Sequence, residues 1–423
     1  MKKNSRVVIT GMGIILPGVD TVEHFWEKLY NGESQIDYLT RFSTENFPVK
    51  TAAEIKSFEY KNYIPGLISE HAKHYNRETL AIMSAMELAR KDAGLQKDSI
   101  EPHRVGFVDS SSRSGLEWWF EAYQRYVKNP SDSDIFNRYA VLTSMSSNPS
   151  TLTAINNNIQ GFVTTVSSAC VGGHHAIALC YQAIRKNRAV VMYAGGHEFP
   201  LVKPLMAMYS DPKSSVMSKE SDNPKRAIKP YDERRDGFIL GEGAMVLCME
   251  NYDHAVKRGA RIYAEVLGTL SYNEASHAMR MDISGRKGAV GLNKLLEITK
   301  IARDDLGYIC GHGTATYNND LAESRTYKLL FEFLPEKDRP LMGSIKPIFG
   351  HTFGAAGIIN VGATALMLQN KSVCPTINHE IRDKEAIHDC VPGKGRKVHI
   401  KKAVSMAYAI GSQSSFVALS EAS

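Results

Sequence analysis

The sequence is short of every feature that marks a secreted, membrane-spanning, zinc-clustered or nucleic-acid-binding chain. Its six cysteines, Cys170, Cys180, Cys248, Cys310, Cys374 and Cys390, are scattered without a CxxC pair or close spacing. That pattern suggests neither a metal cluster nor a disulfide framework, and it fits a reducing cytoplasm. No stretch approaches the roughly 18 consecutive apolar residues of a membrane span. The start, MKKNSRVVITGMGIILPGVD, imitates a secretory leader, but Thr10, Gly11 and Gly13 interrupt its apolar run and no convincing cleavage site follows. A first strand over Arg6 to Thr10 is the expectation. The net charge of +6 is spread along the chain with no basic block, so nucleic acid is not implied and acidic partners are only mildly favoured. No low-complexity linker divides the 423 residues, 43% of which are hydrophobic, so a large core divided among two or three domain-sized units is affordable.

What is present is an alternation of strand and helix patterns. Thr21 to Tyr30 reads as an amphipathic helix, Asp37 to Leu67 as an irregular surface excursion, Arg77 to Ala93 as a helix and Val105 to Ser110 as a strand. The aromatic run LEWWFEAYQRYV after Gly115 reads as core or subunit contact. Pattern alone does not decide Met145 to Ile159. A strand over Ala189 to Ala194, ending at Gly195 and Gly196, precedes an expected hairpin of Phe238–Leu240 with Ala244–Met249. Strand Ile262 to Leu267 closes a first half, 1–268. The second, 269–423, repeats the alternation: helix Gly288–Ala302, strand Gly307–Cys310, helix Asp320–Phe333, strand Leu341–Ile345, helix Thr352–Leu368, and strands Lys402–Met406 and Ser415–Leu419. Such alternation predicts an α/β protein of parallel sheets covered on both faces.

The chemistry centres on VTTVSSACVGGHHAIA, residues 163–178, which reads as strand, sharp turn and helix with Cys170 at the turn. The helix N-terminus there favours thiolate over thiol, though the dipole is worth only about 0.3 to 1 kcal/mol, less than one pKa unit. The small neighbours Ser168, Ala169, Gly172 and Gly173 let substrate and other backbone come close. His312, in YICGHGTAT, and His351, in GSIKPIFGHTFGAAG, each follow the carboxyl end of an expected strand, as Cys170 does. Ligand crevices of α/β sheets form at those ends, so the three side chains are expected to converge. His174 and His175 fall inside the helix after Cys170, where packing is the expected role, and His197 is ambiguous.

These segments, RVVITGMG, VSSAC, YDERRDGFILGEGA, GHGTAT and SIKPIFGHTFGAAG, resemble in order and spacing the β-ketoacyl-acyl-carrier-protein synthases of the elongating Cys-His-His branch. The resemblance covers essentially the whole chain. It implies a thiolase-like fold, two similar α/β halves in an α-β-α-β-α layering, commonly dimeric, acting on chains carried by the phosphopantetheine of an acyl carrier protein, with no metal and no other cofactor. By the same resemblance Cys170 is the nucleophile, His312 and His351 the catalytic histidines, Lys346 the catalytic lysine and Glu323 the supporting acid. Asp320 lies on one helix face with Glu323, and an ion pair of these acids with Lys346 is as well founded as direct catalysis. Lys346 is expected to hold His351 or Glu323. Backbone N–H groups of Cys170 and Ala409 are expected to form the oxyanion hole. The chain departs from the family at Tyr408 to Gln413, where a GFGGTN-like turn and an aromatic gate would fall, leaving Ala409 at the gate, and at GTATYNND. These departures point to a specialised polyketide or polyene pathway rather than housekeeping fatty-acid synthesis. The alternatives are a non-decarboxylating thiolase-like acyltransferase and the chain-length-determining subunit of a synthase heterodimer.

Overall fold

Ten strands of the computed structural model, which describes residues 4–132, 135, 139–214 and 216–422, build the main sheet. In chain order they are β1 (Val7–Ile15), β2 (Val105–Ser110), β3 (Val163–Val166), β4 (Val191–Glu198), β5 (Gly243–Asn251), β6 (Ala264–Asn273), β7 (Tyr308–Cys310), β8 (Leu341–Gly343), β9 (Lys402–Ala409) and β10 (Gln413–Ser420). The helices of eight or more described residues are α1 (Val22–Asn31), α2 (Arg77–Asp92), α3 (Leu116–Lys128), α4 (Asn148–Asn156), α5 (Gly172–Arg185), α6 (Lys203–Ser210), α7 (Arg286–Thr299), α8 (Tyr317–Phe331) and α9 (Ala356–Gln369).

The order across the sheet is β3-β2-β4-β5-β1 followed by β6-β10-β9-β7-β8. Read from the outer edge inward, both groups of five take their strands in the same order, with the same parallel and antiparallel pairings. The groups meet where β1 pairs antiparallel with β6 over Val7–Ile9 and Ala264–Val266. Each group is mixed, with four strands running one way and one, β5 in the first group and β10 in the second, running against them, which corrects the expectation of wholly parallel sheets. The last strand of each half returns against its predecessor. Strand β6 runs through position 268, so the second group of five begins at Ala264.

Helices α5 and α9 fill the space between the two groups, and α9 is buried along Ala356–Leu368. A helix apolar on every side needs such a layer. They approach closely at Gly173, where a Cβ would stand 2.7 Å from Ile358 N and 3.0 Å from Gly357 Cα. His174, on the same turn, ties this layer to the second half through Ser415 O (3.1 Å) and Ser405 Oγ (2.9 Å). Its expected packing role is what the structure shows.

Three local expectations change. Strand β1 continues through Gly11 and Gly13 because α2 lies against them; a Cβ at Gly13 would meet Ala85 O at 1.8 Å. Strand β4 likewise runs past Gly195 and Gly196 to Glu198. Phe238–Leu240 forms no hairpin with β5, and instead bridges to Met217 and to His351, which carries it into the site. The undecided segment contains α4, and α3 buries only Ala122 while Trp119 and Tyr123 are exposed, so its aromatics are not core.

Candidate active site

Cys170 stands in a 3-10 turn, Ala169–Val171, between β3 and α5, with Ala169 held at φ 46°. A non-glycine residue in that region is strained, and the strain falls on the residue next to the nucleophile. His312 follows β7 after Gly311. His351 follows β8 at the end of a short helix, Lys346–Phe349, and bridges to Leu240. The three expected residues converge: Cys170 Sγ lies 3.2 Å from His351 Nε2, the imidazole centroids are 5.3 Å apart at 82°, and one ligand atom from each residue falls within 4.8 Å of the others.

Proton positions follow from the neighbours. His351 Nδ1 accepts the Phe353 N–H at 3.3 Å, so its neutral ring carries the proton on Nε2, toward the sulfur. The Lys346 ammonium lies 3.5 Å from His312 Nδ1 and also donates to His312 O, leaving Nε2 of that ring as the N–H. Burial first, and the charge of Lys346 next, hold both imidazoles well below their ordinary value, so they are neutral donors. Burial also pushes the Cys170 thiol up to about 12, with Lys346 and Arg113 among the charges opposing it. The resting group is therefore a thiol, and the expected bias toward thiolate is outweighed because the enclosed anion loses its water.

Lys346 contacts His312, not His351, and among the described residues it makes no ion pair with Glu323 or Asp320. Glu323 instead accepts the N–H groups of His312 and Gly313 at 2.6 Å each, Asn319 Nδ2 at 2.9 Å and the Tyr231 hydroxyl at 3.2 Å. It shapes the loop that presents His312. At Gly313, φ 43°, a Cβ would stand 2.3 Å from Ser344 Cβ. Burial, then the charge of Asp320, raises the Glu323 carboxyl to about 7. Asp320 accepts the N–H of Tyr231 at 2.8 Å and of Ala315 at 3.2 Å. Both acids thus hold backbone. Ala409 ends β9 and packs in a small cluster with Val171 and Ala407, against which Ala169 and Cys170 lie, so the position expected for an aromatic gate carries only a methyl group near the nucleophile.

Sequence reading passed over the rings around His351. Phe238 meets it edge-on at 5.2 Å and Phe353 lies at 4.7 Å. Phe238 lies inside the YDERRDGFILGEGA motif and Phe353 two residues past His351, so both were within reach of the pattern. Arg113, Tyr209 and Glu198 carried no local signal. His197 proves to be a buried partner of Asp109, 2.9 Å away.

A cysteine at a strand-to-helix turn, faced by two neutral imidazoles across a doubled five-strand order, defines an enzyme of the thiolase-like fold that transfers acyl groups. Residues 4–255 match the family described as beta-ketoacyl synthase, N-terminal domain, and residues 263–380 its C-terminal domain. A putative polyketide beta-ketoacyl synthase 1 from Streptomyces halstedii is 32% identical over 98% of this chain and 97% of its own length. A 3-oxoacyl-[acyl-carrier-protein] synthase 2 from Vibrio cholerae is 32% identical over 96% and 95%. The chain belongs to the beta-ketoacyl synthase family. Among solved structures, a type II polyketide ketosynthase bound to a hexaketide and in complex with its acyl-carrier protein superposes with a TM-score of 0.89 at 27% identity, covering 99% of this chain and 100% of that one. The ishigamide ketosynthase/chain length factor gives 0.90 at 25%, with the same coverage. No helix of the described residues is long and apolar enough to cross a membrane.

Proposed function

We propose that the protein is a β-ketoacyl-acyl-carrier-protein synthase that condenses an acyl chain held on Cys170 with malonyl-acyl-carrier protein, with decarboxylation. The observation that carries this reading is the approach of Cys170 Sγ to His351 Nε2 with His312 in the same cluster. In the first half-reaction the sulfur attacks the acyl thioester, the thiol proton passes to the departing carrier thiol, and the chain moves from one sulfur to another. The oriented Nε2–H of His351 supports the sulfur as negative charge builds on it, so the ring acts as donor rather than base. In the second, malonyl thioester loses carbon dioxide. The two Nε2–H groups hydrogen-bond the enolate oxygen, and the enolate carbon attacks the Cys170 thioester. Cys170 leaves as thiolate and takes up a proton. Lys346 acts by holding the His312 ring, and Glu323 and Asp320 by holding its loop. The N–H groups of Cys170 and Ala409 are the oxyanion donors.

The partners in this reading are an acyl carrier protein, in keeping with the net positive charge, and a second synthase chain, identical or a chain-length-factor relative. Strand β3 is a sheet edge with one side unpaired among the described residues, and Phe162 and Ile155 nearby in sequence are exposed, which supports a subunit contact there. Six free cysteines support a cytoplasmic setting. The two-half organisation, 1–268 and 269–423, is supported by the repeated strand order, with the junction best placed just before β6. A non-decarboxylating thiolase would need a second reactive cysteine, and the Ala409–Gln413 turn has none.

The test is intact-protein mass spectrometry after exposure to a panel of acyl-carrier-protein thioesters. Acylation is expected on Cys170 alone, because the other five cysteines are buried. Acyl mass on Cys180 or Cys310 with Cys170 unmodified would overturn the assignment.

A further inference from the structure

Arg113 lies on the turn between β2 and α3. Its guanidinium stands over the ring of Phe353 at 5.2 Å and that of Tyr209 at 5.5 Å. It donates to the Tyr209 hydroxyl at 2.7 Å and to Ser112 Oγ at 3.2 Å. Phe353 in turn lies 4.7 Å from the His351 ring. Cation, phenyl ring and imidazole therefore follow one another along a wall that ends at the Cys170 sulfur. The wall is anchored. Buried Glu198 accepts the Ser112 N–H (2.8 Å), the Ser112 hydroxyl (2.7 Å) and the Gly354 N–H (2.9 Å) through one oxygen. One carboxylate thus fastens the turn of Arg113 to the turn behind His351.

A guanidinium has five N–H donors in a rigid fork. The hydrogen bonds of the Arg113 side chain go to two neutral hydroxyls, and among the described residues no carboxylate pairs with it. It is half-buried, so a chain laid along this wall removes more of its water. A saturated alkyl chain offers nothing in exchange, and covering an unpaired charge is costly. A chain with oxygen atoms offers charge-assisted hydrogen bonds. Phe353 and Tyr209 keep the plane of the fork in place, so few rotamers are lost when such an oxygen is bound.

We propose that Arg113 is a specificity-determining residue that selects acyl chains bearing oxygen acceptors, oxo or carboxylate, over saturated chains of equal length. This rests on the reading of Cys170 as the acyl carrier. The experiment follows acylation of Cys170 in the full chain by octanoyl, β-ketooctanoyl and suberyl pantetheine thioesters. The parent is expected to take the β-keto or the suberyl chain about tenfold or more faster than octanoyl, since a site built to hydrogen-bond rejects the analogue that lacks the acceptor. The two oxygenated probes tell a ketone from a carboxylate. Arg113→Met should bring the preferred chain and octanoyl to nearly equal rates by slowing the former, Arg113→Lys should keep part of the preference, and Tyr209→Phe should weaken it by loosening the fork. Thermal melts accompany each variant, and Tyr209→Phe carries the test should Arg113→Met fail to fold. A parent that takes octanoyl as fast as both oxygenated chains, or a ratio unchanged in the folded variants, overturns the inference and leaves the synthase reading intact. If no thioester acylates Cys170, both fall.

Discussion

In the proposed reaction Cys170, His312 and His351 divide the chemistry between them, and the division is measurable. With Cys170 carrying the chain and the two imidazoles stabilising the enolate, Cys170→Ala is expected to abolish condensation while some decarboxylation of malonyl-carrier protein persists. His312→Ala and His351→Ala should each lose about two or more powers of ten in decarboxylation, as when one donor is removed from a preorganised site, and keep partial acyl loading. Loading slows more in His351→Ala, because Nε2 of that ring is the group 3.2 Å from the sulfur. Carbon dioxide release and protein acylation, followed separately, check both halves. Undiminished decarboxylation in both histidine variants means the enolate is stabilised elsewhere. At this scale the meeting of Cys170, His312 and His351 was legible because each sits in a short motif at a strand end. The protonation of Cys170 was not, since it depends on how much water the folded chain removes from the sulfur.

Elements in this fold meet through glycine more often than the local pattern suggests. Gly11, Gly13, Gly195 and Gly196 look like strand breakers, yet β1 and β4 run through them: α2 lies directly against Gly11 and Gly13, the Phe107 ring of β2 against Gly195, and the turn at Ala355 against Gly196. The same closeness joins α5 to α9 at Gly173. Gly173→Ala is expected to destabilise the fold by about 1 to 3 kcal/mol, the usual range for overpacking a tight core, since the new methyl would press on the backbone of Ile358 and Gly357. It should also slow acylation of Cys170, three residues away, by shifting the turn. Denaturant melts and loading rates report the two effects. Parental stability in the variant would show that α5 and α9 can separate freely.

Two buried rings, His174 in the middle layer and His197 on β4, give the whole molecule a pH signature. Burial holds His174 down to about 3. In the unfolded chain the same ring takes up a proton near pH 6.5. Below that value the unfolded state binds more protons, so this ring removes about 1.4 kcal/mol of stability per pH unit as the pH falls. His197 has the opposite sign. Burial works to lower it, but Asp109 overcomes that and raises it to about 9. Its contribution is complete below about pH 6.5 and is lost as the pH rises through about 9. Relative to the parent, His174→Gln is therefore expected to flatten the fall in unfolding free energy between pH 6.5 and 5.5, whatever its effect at neutral pH. His197→Gln should flatten the fall between about pH 6.5 and 9. Denaturant titrations across these ranges decide it, and parallel curves for parent and His174→Gln would refute the assignment.

By itself the sequence determined the alternation of strands and helices, the strand-turn-helix frame of Cys170 and the motifs of His312 and His351, because periodicity, glycine placement and small residues act over a few positions. Only the tertiary structure decided the mixed strand directions, the diversion of Phe238–Leu240 from a hairpin to the edge of His351, and the choice of His312 rather than Glu323 as the partner of Lys346. It alone set Arg113 on Phe353 and Tyr209. Each of these joins segments far apart in the chain, and each depends on which groups lose water when the segments pack. A local pattern holds no record of either.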